Sequence, residues 1–278
     1  MSTGLTPPPQ PIKRPPKAVT WIFAIIALII LIAPMSVGFY TDWLWFGEVD
    51  FRGVFSKVIV TRIVLFVIFA LIAGFVTWLA GYFVTKLRPD EMSAFDTQSP
   101  VYQYRQMIEN SLRRVMVIIP IFVALLAGLI GQRSWRTVQM WLNGQEFGVS
   151  DQQFGLDYGF YAFDLPMLRL IADSLSMMLI VAFLIALVGH YLMGGIRAGN
   201  QMTGQKSFVS RGARTQLAVT AGLWMLVKVA GYWLDRYDLL TKENSTFTGA
   251  SYTDINAQLP AKIILLVIAL FVAIAFFS

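Results

Sequence analysis

The chain has 278 residues, of which 56% are hydrophobic and only 14% are charged, and its formal net charge is +6. A soluble domain carries about 25% charged residues, so this composition excludes an ordinary soluble fold and indicates a protein that the bilayer solvates. The sequence has no cysteine and one histidine, which excludes disulfides, thiolate metal sites and multi-histidine metal or haem sites built from this chain alone.

The N-terminal segment, residues 1–17, is rich in proline and contains three basic residues. This composition predicts a disordered cytoplasmic tail. Residues 18–278 contain six apolar runs, each long enough to form a membrane-spanning helix. The third run reaches this length only with the help of the residues that flank it. We therefore expect an all-α polytopic transmembrane bundle. The predicted spans are residues 18–40, 58–85, 115–130, 167–193, 215–234 and 260–278.

Local signals mark some helix ends. Asp164 is predicted to cap the fourth span, with Pro166 in its first turn, and Pro34 is predicted to kink the first span. The sixth run remains apolar up to Ser278 without a polar flank. We therefore expect more protein to follow it.

Basic residues are concentrated in the tail and in segments 86–114 and 194–214, whereas the alternate segments carry more acids. The positive-inside bias then places the N-terminus in the cytoplasm and the acidic, aromatic loops outside. Because the basic residues lie at the ends of apolar runs, we expect no nucleic-acid partner. The lipid bilayer, membrane-protein partners or a homo-oligomer are the partners expected, and no cofactor is expected.

Two segments outside the spans have helical amphipathic patterns. Trp135, Val138 and Leu142 share one helical face, with Trp141 beside them, which is typical of a helix lying in the membrane interface. Residues 100–114 are similarly predicted to form an amphipathic helix on the cytoplasmic face.

Four charged residues fall inside the second, fourth and fifth predicted spans, where charge is costly and usually faces protein or a water cavity. They form a candidate intramembrane polar cluster: Arg62, Arg169, Asp173 and Lys228. Asp173 and Lys228 lie at similar depth, which suggests that Asp173 pairs with Lys228 or with Arg169. The cluster is either a polar pocket opening outward or a structural ion pair that joins helices. The lone histidine, His190, is either a proton switch or a polar residue near the headgroups.

Aromatic residues of the outward segment form a candidate partner or lipid surface, although an aromatic belt at the membrane interface is an alternative. The members of this surface are Trp135, Trp141, Phe154, Tyr158, Phe160 and Tyr161. No catalytic, cofactor-binding or metal-ligating set of residues can be named, and hydrolase and phosphate-binding signatures are missing from the sequence.

Several long motifs resemble those of uncharacterised protein family 0182, large membrane proteins of actinobacteria. They are residues 151–155 (DQQFG), 157–161 (DYGFY), 163–166 (FDLP), 210–214 (SRGAR), 231–237 (GYWLDRY), 247–254 (FTGASYTD) and 259–262 (LPAK). The resemblance covers nearly all of the chain after the tail. It implies a multi-pass protein of the bacterial cell membrane, with about seven spans followed by a large extracytoplasmic domain. The family has no settled activity, so it implies no catalytic residues.

Two functions remain open. The chain is either a non-catalytic module that anchors a larger cell-envelope protein and docks partners, or a transporter or channel for an ion, lipid or envelope precursor. A third hypothesis, a lipid-modifying enzyme, is supported only by the expected position of Asp157, Asp164 and Arg136 near the membrane interface.

Overall fold

A computed structural model describes residues 17–87, 100–197, 208–243 and 247–278. The predicted disordered tail, apart from Lys17, lies outside these residues. The chain divides into two compact units, residues 1–59 and residues 60–278. The helices are α1 (Lys17–Glu48), α2 (Arg52–Lys86), α3 (Pro100–Gly131), α4 (Trp135–Leu142), α5 (Leu165–Leu192), α6 (Arg211–Asp238) and α7 (Leu259–Phe277).

An aromatic cluster holds the described part of the first unit together. Phe55, near the start of α2, is buried. Its ring lies 5.5 Å from that of Phe39, 5.8 Å from Trp43 and 5.2 Å from Phe46, all on α1. Asp50 makes the turn between the two helices in the left-handed region, at φ 59°, which short polar side chains tolerate better than most.

Five helical segments are long and apolar enough to cross a membrane: Arg52–Lys86, Val117–Leu142, Phe160–Leu192, Arg211–Asp238 and Asp254–Phe277. They correspond to the second to sixth predicted spans. The sequence predicted six spans, one more than these five. The first predicted span falls within α1, where part of the side chains lies outside the described residues. The all-α membrane-protein fold is therefore confirmed, and five segments of the described chain have the length and composition of spans.

Residues 100–114 are helical, as predicted, and form the first part of α3, which runs without interruption from Pro100 to Gly131. One boundary prediction was wrong. Asp164 does not cap α5 with its side chain. Instead, one π-helical turn, Phe160–Asp164, leads directly into the helix. Pro166 does lie in the first turn of α5, as predicted, and the short helix at Trp135–Leu142 forms as predicted.

Helices α2 and α3 approach closely at two glycines of α3. A Cβ added at Gly128 would lie 2.8 Å from the ring of Phe66, and one at Gly131 would overlap the ring of Phe69. Small residues permit this approach between membrane helices, where packing replaces the hydrophobic driving force.

A buried chain of hydrogen bonds joins α2, α5 and α6. The Nε2 of His190 lies 2.8 Å from the Oε1 of Gln216, and the Nε2 of Gln216 donates to the carbonyl of Ala80 at 2.9 Å. Because a carbonyl can only accept, the Gln216 amide must turn its oxygen toward His190, so the His190 Nε2 carries the hydrogen. A two-stranded antiparallel hairpin, β1 (Ile196–Arg197) with β2 (Phe208–Val209), follows α5.

Replacing Gln216 with leucine is expected to destabilise the bundle by about 1–3 kcal/mol, because the buried His190 N–H loses its acceptor. Thermal melting in detergent measures this loss. Thr220→Val is the matched control, since among the described residues the Thr220 hydroxyl bonds only within its own helix, to the Gln216 carbonyl. Equal melting temperatures for the two variants would contradict a joining role for Gln216.

Candidate functional site

Charged side chains of three helices meet at one end of the bundle. From α5, the Arg169 guanidinium donates to Asp235 at 2.5 Å, to Asp238, and to the carbonyl of Gly231 at 3.2 Å. From α7, the Lys262 Nζ lies 3.4 Å from the second carboxylate oxygen of Asp235. The two aspartates are three residues apart on α6, so both face Arg169. We call these four residues, Arg169, Asp235, Asp238 and Lys262, the ion-pair cluster.

A polar cavity of about 130 Å³ lies beside the ion-pair cluster, between α5 and α6. Arg169, Asp173 and Lys228 all line it. The structure thus brings together three of the four residues of the hypothesised intramembrane cluster. Asp173 is exposed and Lys228 half-buried. The Lys228 Nζ lies 5.7 Å from the Trp224 ring.

The partners differ from those hypothesised. In the described part of the chain, the ion pairs of Arg169 are with Asp235 and Asp238, and no ion pair joins Asp173 to Lys228. The fourth hypothesised member, Arg62, is exposed on α2. Its guanidinium lies 5.5 Å from the ring of Trp135, so it belongs to the contact between α2 and α4 rather than to the polar cavity.

Sequence reasoning missed Asp235 and Asp238 because they lie just beyond the end of the fifth apolar run, and it missed Lys262 although that residue lies near the start of the sixth. A usable signal was present: Asp235 and Asp238 have helical spacing and follow the fifth run directly, while Arg169 follows the start of the fourth. Because consecutive spans are antiparallel, these positions lie at the same end of the bundle.

The hypothesised aromatic surface divides into buried and exposed members. Phe154, Phe160 and Tyr161 pack around Tyr237 of α6, with ring centroids 4.9, 5.2 and 6.5 Å from it. Tyr161 is buried, whereas Phe154 and Phe160 are half-buried. This packing fixes the loop before α5 against the end of α6.

The remaining members lie elsewhere. Trp141 and Tyr158 are exposed, and Trp135 is half-buried between the guanidinium groups of Arg62 and Arg136. The Trp141 indole donates to Asp164 at 3.1 Å. Of the six residues of the hypothesised surface, only Trp141 and Tyr158 are therefore exposed.

Asp151 organises the loop before α5. Its carboxylate accepts the N–H groups of Gln153, Phe154 and Leu156 and the hydroxyl of Tyr161, all at 2.6–2.9 Å. Burial raises the pKa of Asp151, but the bonds from Phe154, Leu156, Tyr161 and Gln153 outweigh burial and hold the pKa below its ordinary value. The N–H groups of Phe147 and Gly159 likewise lower the pKa of Asp157.

A second buried carboxylate organises the loop between α6 and α7. Asp254 is fully buried. It accepts from the Lys242 ammonium at 2.8 Å, from the Ser251 N–H at 2.8 Å and from the Ser251 hydroxyl at 2.7 Å. Both loops at this end of the bundle are therefore folded around a charged aspartate with its partners in place.

His190 lies away from these groups, in the last turn of α5, and is fully buried. Its Nδ1 has no hydrogen-bond partner among the atoms of the described chain. Because the Nε2 carries the hydrogen, the Nδ1 is an acceptor, and a water molecule could satisfy it.

The side chains of the ion-pair cluster neutralise one another's charge and join α5, α6 and α7. Two carboxylates and two cations make up the ion-pair cluster, which balances its own charge. No group of three or more metal-ligating side chains occurs within the described ranges. The exposed acids of the loops are accordingly not arranged as a metal centre there.

A model of the uncharacterised protein family UPF0182 matches residues 19–278. The chain is 99% identical over 278 residues to UPF0182 protein Cgl0786/cg0896 of Corynebacterium glutamicum. It is 59% identical over 278 residues to UPF0182 protein DIP0733 of Corynebacterium diphtheriae, and 44% identical over 280 residues to UPF0182 protein RHA1_ro06389 of Rhodococcus jostii. These alignments cover 99–100% of the chain but 28% of the length of each relative. No solved structure matches the chain.

Replacing Arg169 with methionine is expected to destabilise the bundle by about 1.5–3 kcal/mol, because the half-buried Asp235 and the more exposed Asp238 lose their charge-assisted hydrogen bonds to the guanidinium. Thermal melting in detergent measures the loss. Arg62→Met is the matched control and should cost below about 1 kcal/mol, since that guanidinium is exposed on an aromatic ring. Similar losses in both variants would contradict the joining role of Arg169.

Acid is expected to loosen the Asp151 loop. Because the folded pKa is lowered, the carboxylate contributes stability that is fully present above the ordinary pKa of 3.8 and lost as the pH falls through the folded value. Hydrogen exchange at the amides of Gln153, Phe154 and Leu156, corrected for intrinsic rates, measures the loss of protection in this loop as the pH falls. Asp151→Ala should make these amides exchange rapidly at pH 7 as well. The control is Glu146→Gln, at an exposed acid nearby. Unchanged protection in Asp151→Ala would contradict the account.

Proposed function

We propose that this chain, which belongs to the uncharacterised protein family UPF0182, anchors a longer cell-envelope protein in the membrane and presents a rigid docking platform at one end of its helices. The platform consists of the ion-pair cluster and the described residues of the two aspartate-centred loops, which are residues 147–161, 239–243 and 247–254. The observation that carries the proposal is the bridging of α5, α6 and α7 by Arg169 and Lys262 through Asp235.

Anchoring is supported by the five segments long and apolar enough to span a membrane. It is also supported by the greater length of the relatives, since the chain spans 28% of their length. A module of this kind needs helices that keep a fixed arrangement, so that whatever it carries is held in one orientation.

Rigidity of the platform is supported by how its charges are used. Each aspartate of the ion-pair cluster and of the two loops has a defined partner. An opening motion would break several charge-assisted hydrogen bonds together, and these are the stronger class of hydrogen bond.

Docking is supported by large aromatic side chains left exposed on the loops of the platform. Tyr252 is 84% exposed, Phe147 is 56% exposed and Tyr158 is 46% exposed. Aromatic residues are enriched at protein–protein interfaces, where they supply much of the binding energy. We therefore assign partner binding to this surface.

Transport is the second candidate, and the polar cavity favours it, because Asp173 and Lys228 line one space at similar depth. Such a cavity could hold water or an ion. If the chain is a transporter, Asp173→Asn should abolish ion flux in proteoliposomes and leave the melting temperature unchanged. The anchoring function predicts no such flux.

The docking prediction is tested by purifying the full-length protein in mild detergent and identifying co-purifying proteins by mass spectrometry. The double variant Tyr158→Ala/Tyr252→Ala should lose a stoichiometric partner without a change in melting temperature. Tyr191→Ala is the matched control, since Tyr191 is exposed at the opposite end of α5. Retention of the partner by the double variant, or equal loss in the control, would contradict docking at the platform.

A further inference from the structure

An apolar groove of about 680 Å³ runs along the seam between α5 and α6. Its walls include Leu168 and Leu175 of α5 and Leu226, Ala230, Trp233 and Tyr237 of α6. Ala172 and Val227 line both this groove and the polar cavity, so they form the partition between the two. The seam therefore has one charged side and one apolar side.

The dimensions of the groove suit a hydrocarbon chain. Leu226 and Tyr237 are eleven residues apart on α6, which is roughly 16 Å at about 1.5 Å per residue. Leu168, Leu175 and Leu226 are each 41–42% exposed, so the groove is open along its side. Because both helices are long and apolar enough to cross a membrane, an open apolar side on them faces the acyl chains of the bilayer.

A cation lies at the platform end of the groove. The Arg236 guanidinium stacks 3.5 Å from the centroid of the Trp233 ring and lies 5.3 Å from that of Tyr237, and both rings line the groove. Its hydrogen bonds go to the Trp233 carbonyl at 3.2 Å and to the Tyr237 hydroxyl at 3.4 Å. Among the described residues no carboxylate forms an ion pair with it, since Asp235 and Asp238 are held by Arg169 and Lys262.

Arg236 consequently keeps positive charge and unused donors beside an apolar groove. A guanidinium has five N–H donors in a planar fork that matches the oxygens of a phosphate. Of the two rings beneath it, that of Tyr237 is held in place, because it packs against Phe154 and Phe160. The receiving geometry is formed before any ligand arrives, which lowers the entropic cost of binding.

We propose that this groove is a binding site for an anionic phospholipid, with one acyl chain along α5 and α6 and the phosphate on Arg236. An amphiphile of this kind satisfies the apolar walls and the cation together, whereas a purely apolar helix of another protein would leave the guanidinium without an anion. The site goes beyond the proposed anchoring and docking, because it assigns a specific ligand to the module.

Native mass spectrometry of the detergent-solubilised full-length protein tests the site. The protein is titrated with phosphatidylglycerol and, separately, with phosphatidylcholine of the same acyl chains. Wild type should retain phosphatidylglycerol preferentially, and Arg236→Gln should reduce that retention about fivefold, the effect of one basic side chain on an anionic lipid. Arg236→Lys should restore most of the preference, since it restores the charge.

Two controls make the result specific. Arg136→Gln removes an arginine that also lies over a tryptophan ring, that of Trp135. Because the Trp135 ring does not line the groove, this change should leave the preference unchanged. Ala230→Trp fills the groove and should abolish retention of the lipid, whereas Ala261→Trp on the exposed face of α7 should not. Equal binding of the two lipids by wild type, equal losses in Arg236→Gln and Arg136→Gln, or full retention in Ala230→Trp would each overturn the proposal.

Discussion

Charge held next to the membrane core is the constraint on which the organisation of the helical bundle depends. Asp235 and Asp238 lie at the end of α6, and charged groups at such positions are stable only with partners or water. Arg169 of α5 and Lys262 of α7 supply the partners. These ion pairs give α5, α6 and α7 one defined alignment at this end of the bundle, which apolar packing alone specifies less strictly.

Other features at this end follow from that alignment. It sets Tyr237 where Phe154 and Phe160 can pack on it, so the loop before α5 is fixed to α6. It also leaves Arg236, the residue after Asp235 on α6, without an ion pair to Asp235 or Asp238. The same seam consequently offers a neutralised polar side and an apolar side with a cation at its end. The docking platform and the lipid site both derive from this division.

The sequence predicted the fold class because apolar runs of this length have few alternatives. It also predicted the helix at Trp135–Leu142 from its one-sided pattern. The partners of Arg169 were missed for a physical reason: the fifth run was ended at residue 234, where hydrophobicity falls, but α6 continues to Asp238. Helices extend past the apolar core, so residues counted as loop acids are part of the bundle. The inward packing of Phe154 and Tyr161 depends on Tyr237, about 80 residues away, and local pattern carries no information on such contacts.

Pulsed electron paramagnetic resonance measures the distance between two spin labels. This distance tests the central claim, that the ion-pair cluster makes the platform rigid. The chain has no cysteine, so labels can be placed by Tyr158→Cys and Tyr252→Cys, one on each loop. The account predicts a single narrow distance distribution that broadens when Arg169→Met is added and stays narrow with Arg62→Met. A distribution that is already broad with Arg169 in place, or one unchanged by its removal, would contradict the account.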